Sequence, residues 1–249
     1  MRPADGKRLR ILRRWTLAGI ATVLVATLAV AATYTPVFAA KDIRVRGSAG
    51  ISRAEVLSLG RVDDRSNVFH LDTDAVERHL ESDPRVLDAR VTTSLPDTLS
   101  IEIVPRTPVA VMGTGVVGTH MVLVGADGVV IGPAGLGIDL PALRNGEGGP
   151  VHPEVLETAA ATAGALGPDL RRTVETVVVA PDGALKVRLA AGFSASFGDA
   201  SELEAKAASL SALLTWVEER GVTVISADLS VPGSPTAQLE RGAAAVVVP

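Results

Sequence analysis

The residues in this chain that are best suited to chemistry lie in two short patterns. Residues 113–118, GTGVVG, match GxGxxG, and a dinucleotide-binding turn with that pattern must open a helix. The residues that follow, 121–131, alternate around Asp127-Gly128 like a strand hairpin, so we interpret the glycines as a loop between strands. The neighbouring carboxylates Asp63 and Asp64 could share acid and base roles, but the polar segment 61–67 favours a solvated loop.

The remaining candidates for chemistry are four histidines: His70, His79, His120 and His152. Their intervals match no metal-ligand spacing on a helix. The chain has no cysteine, which excludes disulfides, thiolate metal sites and a cysteine nucleophile. No GxSxG, HExxH, P-loop or EF-hand pattern occurs in the sequence. We therefore predict a protein that is not an enzyme, with no catalytic residue, no cofactor and no metal.

Charge patterning predicts that most of the chain lies outside the cytoplasm. Residues 15–40 contain no charged side chain and are long enough for one tilted transmembrane helix. The preceding residues 1–14 carry six basic side chains and one acid, Asp5. By the positive-inside bias, we expect residues 1–14 in the cytoplasm and residues from 41 onward translocated, as in a single-pass type II membrane protein. The alternative is a secretory signal cleaved after Ala39, although the apolar run is longer than the usual signal core.

Beyond the predicted anchor, the chain carries 18 basic and 27 acidic residues. This acidic balance argues against binding to nucleic acid.

The segment after the anchor predicts a small α+β module. Residues 41–46 alternate like a half-buried strand, and Ser52 with Glu55 forms a capping box for a helix that stops at Gly60. Asp74 and Glu77 have the same spacing, which predicts a second helix that must end before Pro84. Two alternating runs, 87–92 and 99–103, then flank a turn at 96–97. The predicted order is strand, helix, helix, strand, strand.

From Pro108 onward, the pattern changes to short strands separated by turns. Hairpins are predicted at Asp127-Gly128 and at residues 181–183, PDG. Two helices interrupt the strands. The first runs from about Pro153 to Leu166, and the second is predicted to start from a capping box of Ser201 and Glu204 and to pack on the sheet. Strands are expected at 223–231 and 236–239, and a frayed tail at 241–249.

With these segments assigned, the chain resembles the FtsQ family of bacterial division proteins, called DivIB in some lineages. The matching segments of the first module are 43–47, 67–72, 83–86, 95–99 and 106–110; those of the second are 124–130, 140–141, 197–198 with Lys206, and 225–232. Pro105 and Leu95 depart from the family pattern, where an acid and a Trp are common. The resemblance implies a fold of class α+β: a transmembrane helix, a POTRA-like βααββ domain, and a mixed β-sheet domain with two packed helices. The corresponding segments are a cytoplasmic tail (1–14), the helix (15–40), a POTRA domain (41–107), an FtsQ-type β domain (108–240) and a C-terminal tail (241–249).

The resemblance also implies a function. Members of this family are scaffolds at the division septum of the cell membrane that bind FtsB (or DivIC) and FtsL, and through them FtsW and the septal transpeptidase. We expect a partner segment to add a strand to an unpaired sheet edge near the C-terminus. The residues expected at this edge are Asp228, Leu229, Ser230, Val231, Thr236, Ala237, Gln238 and Leu239.

Two rival functions are open at this point. An exported envelope enzyme would need acidic or hydroxyl side chains that converge in an apolar pocket with strongly shifted pKa values. A component of an outer-membrane β-barrel machine would need several POTRA-like units or a long run of amphipathic strands. The chain shows one such unit and no room for a barrel.

Overall fold

The computed structural model describes the backbone of residues 5–47, 50–114, 120–148, 151–240 and 246–247, and the side chains of these residues except 5–14, 16, 246 and 247. The chain divides into two units, one up to Pro105 and one from Arg106 onward. The first unit contains α1 (Asp5–Thr33), a 3-10 helix (Pro36–Phe38), β1 (Asp42–Arg46), α2 (Arg53–Leu59), α3 (Thr73–Glu81), β2 (Val86–Ser94) and β3 (Thr98–Pro105). After α1, the predicted order of strand, helix, helix, strand, strand is confirmed.

The second unit is built on one large sheet with helices. Its elements are β4 (Pro108–Thr114), β5 (His120–Gly125), β6 (Val130–Pro133), β7 (Ala142–Asn145), α4 (Pro153–Ala165), α5 (Pro168–Thr173), β8 (Val174–Val179), β9 (Leu185–Leu189), β10 (Ser194–Gly198), α6 (Leu203–Arg220), β11 (Val224–Asp228), β12 (Thr236–Leu239) and β13 (Val246–Val247). The α+β class is therefore confirmed. Neither β7 nor α5 was predicted from the sequence.

Helix α1 carries most of the uncharged run that suggested a membrane anchor. Its described large apolar side chains are exposed, for example Ile20 at 65% and Leu28 at 61%. Of the helices formed by the described residues, none has the length and hydropathy needed to cross a membrane. The anchor therefore stays a prediction.

The sheet of the first unit has the order β1-β3-β2, with β1 parallel and β2 antiparallel to the central β3. Buried side chains from the helices and the sheet form its core, including Leu80, Leu99 and Ile101, each at most 1% exposed. On β1, Ile43 is also buried, while Val45 is half-buried. One face of this sheet thus carries the apolar contacts, as the alternation predicted.

Two helix caps differ from the predictions. Ser52 Oγ accepts a hydrogen bond from the Glu55 N–H at 3.3 Å, so the first cap is confirmed. Asp74 does not cap α3, because Asp72 Oδ1 accepts from the Ala75 N–H at 3.0 Å and the helix begins at Thr73. The Ser201–Glu204 capping box is also wrong, since α6 begins at Leu203 and no side chain caps it.

The ten-stranded sheet of the second unit has the order β13-β12-β11-β10-β9-β8-β7-β4-β5-β6. Both predicted hairpins are confirmed: β5 pairs with β6 and β8 with β9, each antiparallel. Gly128 (φ 76°) and Gly183 (φ 83°) occupy the left-handed positions that these turns require. Helices α4 and α6 contact each other and the strands, so the core lies between the helices and one face of the sheet.

Candidate partner-binding edge of the large sheet

Three adjacent strands, β10, β11 and β12, form the C-terminal part of the sheet where the partner edge was predicted. β11 runs parallel to β10 and antiparallel to β12. Ala195, Ala227 and Ala237 are aligned across the three strands and are at most 5% exposed. The face of the sheet that carries them therefore packs against the core. The alternate residues therefore form the opposite, polar face.

The structure places the first half of the predicted site inside the sheet. Asp228 is the last residue of β11, which has a strand on each side. Leu229 is fully buried, and its N–H donates to the Ser196 carbonyl at 2.8 Å. Val231 is 60% exposed but lies in the turn beyond the strand. The expected strand 223–231 is thus shorter than predicted, and its last residues form a turn.

Hydrogen bonds to Asp228 hold this turn in place. Asp228 Oδ1 accepts from Ser230 Oγ at 2.6 Å and from the Ser230 N–H at 2.9 Å. These bonds hold the pKa of the Asp228 carboxyl below its usual value, because they favour the charged form. Gly198 (φ 67°) lies against the turn, and a Cβ at that position would come within 2.9 Å of Ser230 Cβ.

Strand β12 lies next to the end of the sheet and was predicted with its observed bounds. The Glu240 N–H donates to the Thr223 carbonyl on the β11 side at 2.9 Å. Because N–H groups alternate sides along a strand, those of Gln238 and Thr236 face β11, and those of Ala237 and Leu239 face outward.

The outward side of β12 is covered only in part by the C-terminal segment. Residues 241–249 were predicted as a frayed tail, but Val246 and Val247 form β13, which pairs with Ala237 and Thr236. Within the described residues, this pairing does not extend to Leu239. The available backbone therefore starts where β13 ends.

The polar face of the same strands forms an open cavity of about 520 Å³ that the sequence analysis did not identify. Its polar lining residues are Lys186, Ser194, Ser196, Ser226, Asp228, Thr236 and Gln238. Ser226 and Gln238 are joined across the strands by a 3.3 Å hydrogen bond. The alternation of Ser194 and Ser196 with buried Ala195 was the sequence signal for this face.

An ion pair between buried Lys206 and exposed Asp199 fixes the connection between β10 and α6. The Lys206 side chain is fully buried, and its Nζ donates to Asp199 Oδ1 at 2.8 Å and to the Asp199 carbonyl at 3.0 Å. Ser201 also donates to Asp199 Oδ1. The bonds from Lys206 and then from Ser201 hold the pKa of the Asp199 carboxyl well below its usual range. Ser201 is therefore engaged with Asp199 instead of capping α6.

We expect Asp199→Asn to remove a pH-dependent part of the stability. Because the folded state depresses the pKa of Asp199, its contribution is complete above the unfolded pKa of about 3.9 and is lost as the pH falls below that value. The difference in melting temperature between parent and variant should thus be present at neutral pH and shrink below about pH 4. Thermal melts across this range test it, with Asp182→Asn in an exposed turn as the control for net charge. A difference that stays constant with pH would contradict the assignment.

The geometry does not test the predictions that the protein has no catalytic residue, no cofactor and no metal. The described part of the chain contains no group of three or more His, Asp or Glu side chains that could hold a metal. Most of the GxGxxG pattern, residues 115–118, lies outside the described residues. The strands that flank it, β4 and β5, pair with each other, as expected for a connection within a sheet.

Comparison with known proteins relates this architecture to a family. The model of the FtsQ-type POTRA domain matches residues 38–106. The chain is 34% identical over 221 residues to the cell division protein FtsQ of Mycolicibacterium smegmatis, an alignment that covers 88% of this chain and 63% of that protein. With FtsQ of Mycobacterium bovis it is 32% identical over 221 residues, which cover 87% of this chain and 67% of the relative.

The chain belongs to the FtsQ family of cell division proteins. FtsQ of Corynebacterium glutamicum is a further relative, 27% identical over 169 residues that cover 67% of this chain and 73% of that protein. The family predicted from sequence segments is therefore confirmed. The chain spans 63% of the length of the M. smegmatis FtsQ that it matches. Residues 38–106 are called the POTRA unit below.

Proposed function

We propose that this FtsQ-family chain is a non-enzymatic scaffold that binds FtsB (or DivIC) and FtsL homologues at the division septum. Through them it helps to assemble and regulate septal peptidoglycan synthesis by FtsW and its transpeptidase. The observation that carries the proposal is the outer side of β12, which offers backbone groups beyond the two residues that β13 covers. A partner strand would add there by backbone pairing.

We further propose that α1 anchors the chain with its N-terminus in the cytoplasm and both folded units outside. The support is the absence of charge from residue 15 to residue 40 and the basic flank before it. The domains would then be the tail 1–14, the helix 15–40, the POTRA domain 41–107, the β domain 108–240 and the tail 241–249. The division of the chain after Pro105 supports the middle boundary.

The direction of the pKa shifts of the aspartate carboxyl groups favours a scaffold over an envelope enzyme. Among the side chains that the structure describes, four aspartates have clearly shifted pKa values: Asp63, Asp83, Asp199 and Asp228. All four pKa values are lowered, mainly because hydrogen bonds stabilise the charged form. A general acid at neutral pH needs the opposite shift. The cavity beside Asp228 is also open and lined by polar groups.

The proposal is tested by proline at Leu239, an outward-facing position of β12 that the described part of β13 leaves unpaired. Because the Leu239 N–H points away from β11, Leu239→Pro should keep the β11–β12 ladder but remove a donor that a partner strand needs. We expect the variant to lose binding to the extracytoplasmic segment of the FtsB homologue in pull-downs while it still melts cooperatively. Leu239→Ala keeps the N–H and should bind like the parent.

Two further variants separate the loss of the outward N–H from the strain that proline introduces into the backbone. Ser230→Pro removes an N–H that bonds only within its own turn, to Asp228, and should leave partner binding intact if the variant folds. A chain that ends at Glu240 lacks β13 and exposes the whole outer side of β12, so it should bind the partner at least as tightly as the parent. If a folded Leu239→Pro variant binds normally, or if the truncation abolishes binding, strand addition at β12 is wrong.

A further inference from the structure

The loop around Asn67 is joined to the C-terminal end of α1 in the first unit. Asn67 Nδ2 donates to the Thr33 carbonyl at 2.7 Å, and Thr33 Oγ1 lies 2.9 Å from His70 Nε2. Carbonyls in the last turn of a helix have no partner within the helix, so a side chain of the folded unit satisfies this one. Such a satisfied carbonyl can lie in a poorly hydrated environment at little cost.

Backbone pairing ties the same loop to the segment that follows α1. The Val68 N–H donates to the Phe38 carbonyl at 2.8 Å, and the Ala40 N–H donates to the Ser66 carbonyl at 2.9 Å. Ala40 is fully buried in the core of this unit. The segment 34–40 is therefore part of the folded unit and not a free linker.

Aromatic rings at this junction form one cluster that is open to solvent. The Tyr34 ring stacks on His70 at a centroid distance of 4.3 Å, and the Phe69 ring meets the edge of His70 at 5.1 Å. Phe38 lies 5.7 Å from Phe69. Yet Tyr34 is 68% exposed, Val37 57% and Phe69 50%. Contiguous exposed apolar groups mark an interaction surface more often than scattered ones.

A fourth exposed side chain lies at the same end of the sheet. Leu95, 59% exposed, is in the turn between β2 and β3, and the Asp42 N–H donates to the carbonyl of Asp97 in that turn at 3.2 Å. Asp42 pairs with Thr98, while the opposite end of β3 pairs with Val86. At about 3.3 Å per residue, these two ends are about 20 Å apart.

We propose that Tyr34, Val37, Phe69 and Leu95 form a juxtamembrane surface that is seated in the outer interface of the lipid bilayer. This inference rests on the proposed anchoring by α1. If α1 spans the membrane, Thr33 lies near the outer hydrocarbon boundary, and the loop bonded to Thr33 lies at the same depth. Tyrosine and other aromatic rings favour this region because they offer apolar area beside polar groups. The charged neighbours Lys41 and Asp42 begin just beyond the surface, as expected for its hydrated rim.

The bilayer fits this surface better than a protein partner because the surface continues the exposed apolar side of α1. The consequence is mechanical: the POTRA unit would be held against the membrane in one orientation and would not swing on a flexible tether. That orientation would fix where the unit presents its sheet to other membrane proteins.

The absence of native cysteine allows a site-specific test. Single variants Leu24→Cys, Phe69→Cys, Leu95→Cys and Leu87→Cys of the full chain are labelled with the environment-sensitive fluorophore NBD. They are reconstituted in vesicles of phosphatidylglycerol and phosphatidylethanolamine that carry nitroxide-labelled lipids. Leu87 is the matched control, because it is 50% exposed like Phe69 but lies at the far end of the sheet. Leu24 reports on the anchor itself.

We expect blue-shifted emission and nitroxide quenching at Leu24, Phe69 and Leu95, and water-like emission at Leu87. Phe69 and Leu95 should be quenched best by shallow nitroxides. Quenching at Leu24 with water-like emission at both Phe69 and Leu95 would overturn the juxtamembrane surface and leave the anchor intact. A water-like Leu24 would overturn both. Shifts at Phe69 that disappear on dilution with lipid would show a second copy on the surface and also overturn the inference.

Discussion

Leu80→Ala should lower the free energy of unfolding of the POTRA unit by about 2 to 5 kcal/mol. Leu80 is fully buried on α3, and the apolar cluster around it includes Leu99 and Ile101 of β3. Shortening it removes apolar contacts and leaves a cavity that the surrounding sheet and helices fill only in part. Chemical denaturation of a chain of residues 38–249 measures the loss.

Leu87→Ala is the matched control, because it deletes the same atoms from a side chain that is half exposed on β2. Its effect should stay within about 0.5 kcal/mol. The apolar cores of the two units have no residue in common, so Leu80→Ala should leave the unfolding of the second unit unchanged. Equal losses for Leu80→Ala and Leu87→Ala would show that the assigned core is wrong.

The POTRA unit could be predicted from the sequence because its local signals agree with its packing. The alternation after Asp42, the Ser52 cap and the turn before Thr98 each act over a few residues, and the structure uses all three. Signals of this range are visible in one sequence because capping and turn chemistry depend on neighbours along the chain.

The start of α6 shows how a competing ion pair overrides such a signal. Ser201 and Glu204 have the spacing of a capping box, but Ser201 is hydrogen-bonded to Asp199. Asp199 in turn is held by Lys206, whose buried ammonium needs an acceptor. Because an unpaired buried charge costs more free energy than a missing cap, the ion pair determines the local geometry.

The candidate edge was predicted only in part for a different reason. The bounds of β12 follow from local alternation, but whether a strand lies at the edge depends on the order of strands in the sheet. The family resemblance implied that Asp228 and Leu229 lie at the edge, yet β10 and β12 flank β11, which ends at Asp228. The pairing of Val246 and Val247 with β12 is likewise a contact between separate segments that no short pattern encodes.

Phe197→Ala should cause a still larger loss, about 3 to 5 kcal/mol, in the second unit. Phe197 on β10 is the largest fully buried side chain of its core, and that core also contains Leu210 and Leu213 of α6. Alanine would leave a ring-sized cavity between the sheet and this helix. Denaturation monitored through Trp216, which lies on α6 and packs at the edge of the same core, would follow the change.

Ile225→Ala provides the control on the neighbouring strand, because Ile225 is 50% exposed and its truncation opens no internal cavity. A comparison of Phe197→Ala with Leu239→Pro also separates a loss of stability from a loss of binding at the β12 edge. Phe197→Ala leaves the outward backbone groups of Leu239 in place, so partner binding should fall only in proportion to the unfolded fraction and recover when the fold is stabilised. Leu239→Pro should lose binding without that recovery. If stabilising conditions restore binding equally in both variants, the outward backbone of β12 is not the docking edge.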